Sequence, residues 1–308
     1  MYGRVDVGLN QQKVTSGSAW VKSNNLVNED GLSTGLIGLK GSEDLGGGLT
    51  ASFKQEWDLD LDTGFMKTSE GRNSTLGLSG GFGEVRMGRS YTPLFNVIGS
   101  SDVFGTTGAT TVTLYADGVR ASNALFYTSP SFGGVKVDAM FTNNNNSTNL
   151  TETKDNHLGL SATYAEGPLM VAVGYGKIKT TTGAVKGETK GVAVAATYDL
   201  GAAKVYFGHT SGSEQKDVSL TTESKAKETN LGVSVPLGAV TLMAGVGKNK
   251  VENISATGAV TKGDGTDVVV GATYALSKRT TAYFKTGTYD KVENTKTTRT
   301  SMGLRHTF

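Results

Sequence analysis

The chain has 308 residues, 43 glycines, four prolines and no cysteine, and its formal net charge is +2. The lack of cysteine excludes a disulfide framework and thiol chemistry, and the small net charge indicates no strong preference for a polyanion such as nucleic acid. No run approaches the roughly 18 consecutive apolar residues that a membrane-spanning helix needs. A β-barrel is still possible, because its wall needs an apolar residue only at every second position.

Alternation with a period of two dominates the chain and begins at the N-terminus, where Val5 and Val7 alternate with Arg4 and Asp6. Successive side chains of a strand point to opposite faces, so each such segment predicts a strand with one apolar face. No convincing 3.6-residue amphipathic run is present, and the chain is predicted to be all-β. Further alternating segments carry Ile37 and Leu39; Leu49, Ala51, Phe53 and Trp57; Val135, Val137, Ala139 and Phe141; Leu169, Val171, Val173 and Tyr175; Val192, Val194, Ala196 and Tyr198; Leu231, Val233 and Val235; Val240, Leu242, Ala244 and Val246; and Met302, Leu304 and Phe308.

Short turns and long polar loops alternate along the chain. Seven short turns and eight long loops would join sixteen strands, and this asymmetry is typical of an outer-membrane barrel. We therefore predict one domain, 1–308, folded as a 16-stranded antiparallel transmembrane β-barrel with short periplasmic turns and long extracellular loops. The short turns are at 41–48, 80–84, 129–134, 165–168, 199–202, 236–239 and 275–279, and the polar segments are at about 14–32, 59–70, 91–119, 143–155, 180–187, 211–225, 251–264 and 290–297.

A strand ending recurs before the short turns. Ala-Thr-Tyr precedes a turn at Tyr164, Tyr198 and Tyr274, and Tyr127 takes the same place in another strand. A tyrosine there would set an amphipathic ring at the membrane–water boundary, so we expect an aromatic girdle.

The charged residues of the strands fall on the face opposite the apolar residues. A soluble sandwich would also turn its charges to water, so the alternation alone does not separate it from a barrel. Strand count, loop asymmetry and the tyrosine endings favour the barrel. The inward face is richer in base than in acid, which would bias a lumen toward anions. Its members are Arg4, Lys40, Lys54, Arg86, Arg120, Lys136, Lys204, Lys285 and Arg305, with Asp6, Glu56, Glu84 and Asp138.

Four segments are similar to the trimeric general porins of Gram-negative bacteria, especially the beta-proteobacterial and Neisserial type. The similarity reaches both ends of the chain, and its motifs are specific in combination. The segments are GLKGSEDLGGGL at 38–49, LSGGFGEVRMGR at 78–89, YTSPSFGG at 127–134 and GLRHTF at 303–308.

The resemblance implies a homotrimer and a third extracellular loop, about 91–119, folded into the lumen. Arg89 and Arg120 match the family's wall arginines, and Asp102 and Asp117 are the loop acids that would face them. Leu36 stands where the family usually has another arginine. The terminal aromatic residue resembles the family's assembly signal. The residues expected at the constriction or for its selectivity are Arg89, Arg120, Asp102, Arg86, Arg72, Asp117, Lys40, Lys54 and Lys136, and the assembly signal would be Phe308.

We expect a passive diffusion channel for ions and small hydrophilic solutes, mildly anion-selective, in the bacterial outer membrane. The chain would be a mature form whose signal peptide has been removed. Its partners would be two further copies, outer-membrane lipids and lipopolysaccharide, and the permeating solutes, but no nucleic acid.

Three alternatives remain at this point. A solute-specific channel could line its path with Tyr91, Phe95, Phe104 and Tyr115, although packing of the loop against the wall is the favoured role for these rings. A barrel enzyme would need a nucleophile and a base, and His157, His209 and His306 have no evident serine partner. No cofactor or metal site is predicted. The third alternative is a soluble adhesin, which would stay in solution without detergent, whereas a porin would not.

Overall fold

The alternating segments form strands in a computed structural model of the chain. The structure describes residues 1–27, 31–61, 63–67, 71–106, 110–112, 117–147, 152–217, 222–255, 257–291 and 295–308. Within these residues there is one α-helix, and no helix is long and apolar enough to cross a membrane. The helix, α1, is Pro93–Ser100. The strands are β1 Tyr2–Ser16, β2 Ala19–Val27, β3 Leu36–Gly46, β4 Leu49–Asp60, β5 Phe65–Lys67, β6 Asn73–Gly80, β7 Gly83–Tyr91, β8 Arg120–Thr128, β9 Val135–Ser147, β10 Glu152–Glu166, β11 Leu169–Thr182, β12 Val185–Asp199, β13 Lys204–Asp217, β14 Thr222–Leu237, β15 Val240–Ile254, β16 Val260–Ala275, β17 Thr280–Lys291 and β18 Thr295–Thr307.

These segments close into one antiparallel barrel whose wall has sixteen strand positions, here called staves. Strands β2 and β3 both pair with β1 and together make one interrupted stave, and β5 and β6 do the same beside β4. The last strand pairs with the first, from Arg4 opposite Thr307 to Ser16 opposite Thr295. Every stave therefore has a partner on both sides, as a sheet in lipid requires.

Phe308 completes this seam. Its backbone exchanges two hydrogen bonds of 3.0 Å with Gly3. Its ring lies over Gly3, where a Cβ atom would come 2.8 Å from the Leu36 carbonyl oxygen and against the ring itself. The Phe308 ring therefore packs against position 3, where only glycine fits.

The barrel is apolar outside and polar inside. Leu9, Leu76 and Leu231 are more than half exposed on the outer face, whereas Asp6 and Lys285 are fully buried in the wall's inner layer. A soluble β-protein would bury its apolar face, so this inversion is the arrangement expected of a wall surrounded by lipid. The predicted inward placement of charge is confirmed for Asp6, Glu56 and Lys285, which are buried on the face opposite the exposed apolar residues.

The predicted tyrosine girdle is confirmed. Tyr127, Tyr164, Tyr198 and Tyr274 all face outward at the end of the barrel that carries the short turns, with between 36% and 50% of each side chain exposed. The aromatic rings therefore mark one boundary of the apolar belt.

The predicted lengths of several polar loops are wrong. Residues 180–187 were expected to form a loop, but β11 and β12 continue through them and turn at residues 183–184. Strands also run into the segments predicted at 14–32, 143–155, 211–225, 251–264 and 290–297. Hydrogen-bonded pairing continues there although the apolar alternation stops, because beyond the lipid both faces of the sheet contact water.

Replacing Gly3 by valine should weaken the closing seam. The added side chain would collide with the Phe308 ring, at an overpacking cost of about 1–3 kcal/mol. The yield of barrel that resists unfolding at a fixed temperature in detergent should fall, as read from heat-dependent migration on a gel. Gly81→Val is the matched control, because a Cβ atom at Gly81 meets nothing within 4 Å; equal losses in both variants would contradict the role of the seam.

Candidate functional site: the pore constriction

The connection between β7 and β8 turns into the barrel and begins with α1. The Thr92 hydroxyl caps the helix by accepting a hydrogen bond of 3.1 Å from the Phe95 backbone nitrogen, and Pro93 occupies the first turn, where its missing N–H costs nothing. One face of α1 packs against the inner wall of β11 and β12. The buried residues of this contact are Leu94, Val97 and Ile98 of the helix and Ala172, Ala193 and Ala195 of the wall.

The wall receives the loop on a track of small residues that crosses β10 to β16. At Gly174, a Cβ atom would lie 3.0 Å from the Val97 side chain, and at Gly245 it would lie 3.1 Å from the Phe104 ring. The close approach of the loop therefore depends on missing side chains in the wall. The other glycines of this track are Gly159, Gly176, Gly208, Gly232, Gly247 and Gly271.

Asp117 ties both ends of the loop to the wall. One carboxylate oxygen lies 3.1 Å from His157 Nε2 on β10, and the other accepts a hydrogen bond of 3.2 Å from the Thr92 hydroxyl. The side chain of Asp117 is fully buried. This carboxylate was expected to face wall arginines, but the structure places it in the loop's attachment.

Asp102 organises a turn within the loop. Its carboxylate accepts hydrogen bonds from the Phe104 backbone nitrogen at 2.9 Å, from the Thr110 hydroxyl at 2.6 Å and from the Thr106 backbone nitrogen. Burial raises the pKa of the carboxyl above its ordinary value. Both loop acids are thus bonded to groups that hold the loop in place.

A basic cluster forms on the opposite wall, around the hydroxyl group of Tyr91. Arg72 Nη2 donates to this oxygen at 2.7 Å and Arg120 Nη2 donates at 2.9 Å. The Arg120 guanidinium also lies 4.5 Å from the centre of the Tyr91 ring, in cation–π range. Arg72 makes an ion pair of 2.5 Å with Asp58. The structure therefore brings together two of the arginines that the sequence singled out.

Arg4 joins this cluster from the first strand. It lies directly opposite Leu36 in the β1–β3 register, and Leu36 lies opposite Asp58. Its Nε donates to the Thr34 carbonyl at 2.7 Å, and Arg72 and Arg305 lie within its electrostatic range. Sequence reasoning placed Arg4 on the inward face but missed its place beside the arginines. The pairing of β1 with β3 would have revealed that place.

The remaining basic candidates engage other groups. Arg89 bridges strands by donating to the Gly71 carbonyl at 2.7 Å and to the Ser122 hydroxyl at 2.6 Å. Arg86 pairs with Glu84 at 3.2 Å. The lysines are distributed along the inner wall: Lys40 lies over the Tyr2 ring, Lys54 pairs with Glu56 at 3.1 Å, and Lys136 lies opposite Thr163.

The loop aromatics mostly pack. Phe104 is buried against Val269 and Tyr289 of the wall. Tyr91 and Phe95 stack with their ring centres 5.0 Å apart, and both are half-buried. Tyr115 lies outside the described residues. The favoured role of these rings, packing the loop against the wall, is confirmed for Phe104.

A closed barrel with an inward loop facing a basic wall is a pore architecture, and comparison with known proteins agrees. A family model described as Gram-negative porin matches residues 1–296. This chain belongs to that family. The porin is 30% identical over 265 residues to outer membrane porin protein 32 of Delftia acidovorans, an alignment that covers 82% of this chain and 73% of that protein. It is also 27% identical over 293 residues to major outer membrane protein P.IB of Neisseria meningitidis serogroup B, covering 88% of this chain and 82% of that protein.

Among solved structures, the anion-selective porin from Comamonas acidovorans matches this porin with a TM-score of 0.81 and 26% identity, covering 100% of this chain and 98% of that one. The expected family, fold class and outer-membrane location are confirmed. The porin is a general diffusion channel rather than an enzyme.

Replacing Gly176 by valine should release the loop attachment. The new side chain would occupy the position of the Asp117 carboxylate, so this carboxylate would lose its place beside His157 and Thr92. Single-channel conductance should rise, because the lumen loses an obstruction. Gly81→Val again serves as the control; an unchanged conductance in Gly176→Val would contradict the role of this attachment.

Proposed function

We propose that the channel is mildly anion-selective and that Arg72, Arg120 and Arg4 set this preference. The observation that carries the proposal is the convergence of Arg72 and Arg120 on the Tyr91 hydroxyl, with Arg4 in register nearby. The acids of the loop are bonded within its attachment and leave the arginine charge incompletely balanced. A relative of similar fold is described as anion-selective, which supports the same sign.

The expected preference is mild because acids stand among the arginines. Asp58 pairs with Arg72, and Glu56 accepts hydrogen bonds from Tyr2 and Asn73 on the same wall. A unit charge about 4 Å from a permeating ion is worth about 1 kcal/mol in water, or a factor of about five in local ion concentration. One or two unbalanced arginines would thus favour anions without excluding cations.

A solute-specific channel is the second candidate, and the Tyr91–Phe95 stack favours it. A stacked, half-buried pair beside a basic cluster offers an apolar surface to a sugar ring. Liposome swelling with neutral sugars of graded size separates the candidates. Permeation that follows size alone supports the general channel, and a sugar that permeates faster than smaller ones supports the specific one.

We also propose a homotrimer, as the resemblance to trimeric porins implies, embedded among outer-membrane lipids and lipopolysaccharide. Small hydrophilic solutes and ions would be its other partners. The mass of the detergent-solubilised assembly tests the trimer directly.

Arg120→Glu should shift the selectivity of the pore toward cations. The reversal potential across a salt gradient in a planar bilayer reads the change, and low salt sharpens it because screening is weaker. Arg86→Glu serves as the matched control, since Arg86 already pairs with Glu84 away from Tyr91. A reversal potential that stays anion-directed and unchanged in Arg120→Glu would remove Arg120 from the constriction. A cation-directed potential in the parent protein would overturn the proposed selectivity itself.

Moving the Arg4 charge across the β1–β3 pair should preserve selectivity. Arg4→Leu should lower the ratio of anion to cation permeability, by up to about fivefold for one charge near the ion path. The double variant Arg4→Leu/Leu36→Arg should recover most of this loss, because the two positions face each other in register. A ratio unaffected by Arg4→Leu in an anion-selective parent would show that Arg4 does not contribute.

A further inference from the structure

The connection between β2 and β3 is longer than the sheet requires. Strand β2 ends opposite Gly8 of β1, and β3 begins opposite Arg4. Eight residues, 28–35, connect these two points, whereas only three residues of β1 separate them. The connection therefore has to leave the sheet. Its described part, residues 31–35, is called the inner strap below.

Asp6 binds the inner strap to the inner wall. The Asp6 side chain belongs to β1 and is fully buried. Its carboxylate accepts a hydrogen bond of 2.7 Å from the Ser33 backbone nitrogen and another of 2.7 Å from the Tyr283 hydroxyl on β17. A Cβ atom at Gly31 would lie 2.7 Å from the Tyr283 hydroxyl oxygen and would press against the Asp6 carboxylate. The strap therefore packs closely on the wall and is bonded to a buried charge.

Two facing glycines make room for the Tyr283 hydroxyl. Gly8 and Gly303 lie opposite each other in the β1–β18 register. A Cβ atom would lie 2.6 Å from the Tyr283 hydroxyl oxygen at Gly8 and 2.5 Å from it at Gly303. Missing side chains in two strands thus allow the hydroxyl of a third strand to reach Asp6.

The inner strap also bonds to the side chain of Arg4. The Thr34 carbonyl accepts a hydrogen bond of 2.7 Å from Arg4 Nε. At the far end of the strap, the Gly35 carbonyl accepts a hydrogen bond of 3.1 Å from the Leu59 backbone nitrogen on β4. The strap is therefore fixed on both sides of the bond that it makes to Arg4.

The position of the Arg4 charge depends on such a support. Arg72 and Arg305 repel this charge, whereas Glu56 attracts it. An arginine side chain also has several rotatable bonds, so the backbone alone does not fix its guanidinium group. A carbonyl that holds Nε restricts the side chain to one arrangement among these neighbours.

We propose that the inner strap is a positioning element of the constriction. Asp6 and Tyr283 fix the strap to the wall, and Thr34 then holds the Arg4 guanidinium beside Arg72. The inference rests on the proposed function, in which Arg4 contributes to the anion preference. Asp6 and Tyr283 are positioning residues, because they act on Arg4 through the strap rather than by contact with a permeating ion.

Gly31→Val tests the strap without changing any charge. The added side chain would collide with the Asp6 carboxylate and the Tyr283 hydroxyl and displace the strap. The ratio of anion to cation permeability, measured from the reversal potential across a salt gradient, should fall by up to about fivefold, the limit expected for loss of the Arg4 charge. Gly81→Val is the matched control and should keep the parent ratio, because a Cβ atom there meets nothing within 4 Å.

A double variant separates positioning from a general effect on the barrel. In Arg4→Leu/Gly31→Val the ratio should equal that of Arg4→Leu alone, because the charge that the strap positions is absent. A strap that only stabilised the barrel would change heat resistance and leave the ratio at the parent value. Tyr283→Phe removes one hydrogen bond to Asp6 and adds no volume; it should lower the ratio in the same direction, and it carries the test if Gly31→Val does not fold.

The outcomes distinguish this inference from the proposed function. If Arg4→Leu lowers the ratio but Gly31→Val and Tyr283→Phe do not, the strap has no positioning role and the proposed function stands. If Gly31→Val lowers the ratio equally with and without Arg4, the strap acts on another charge and the inference is overturned. If Arg4→Leu itself leaves the ratio unchanged, both the inference and the role of Arg4 are overturned.

Discussion

The closure of the hydrogen-bonded ladder is the constraint on which the rest of the molecule depends. In a lipid environment an open sheet edge would leave backbone groups without partners, so β1 must find β18. Gly3 and Phe308 meet at that seam, and the missing Cβ of the glycine makes room for the ring. Once the ladder is closed, every second side chain of each strand points into the lumen, and these side chains line the pore.

The loop that narrows the lumen is positioned by wall residues that have small side chains or none. Glycines and alanines on β10 to β16 leave a track, which α1 fills with Leu94, Val97 and Ile98 and the residues after it fill with Phe104 and Thr111. Asp117 then links the loop's beginning, through Thr92, to His157 on the wall. The loop is thus held against β10 to β16, whereas the basic cluster lies around Tyr91 on other strands.

Charge is organised differently on the two faces of the same wall. Inside, arginines share a tyrosine hydroxyl and neighbouring carboxylates, which keeps their net effect moderate. Outside, charged side chains such as Lys227, Lys250 and Asp264 lie beyond the apolar belt. Period-two alternation permits this separation, since neighbouring residues on one strand face different surroundings.

The sequence alone determined the all-β class, the sixteen staves, the tyrosine girdle and the inward placement of charge, because all of these follow from alternation and turn chemistry within short stretches. The family was also visible, from motifs at both ends of the chain. Only the tertiary structure decided which charges meet. Arg4 and Leu36 are 32 positions apart and become neighbours through the β1–β3 register. Asp102 and Asp117 look available in the sequence, but the folded loop places hydrogen-bond donors around them. Alternation specifies the face on which a side chain lies, whereas its partner depends on register and on the path of the loop.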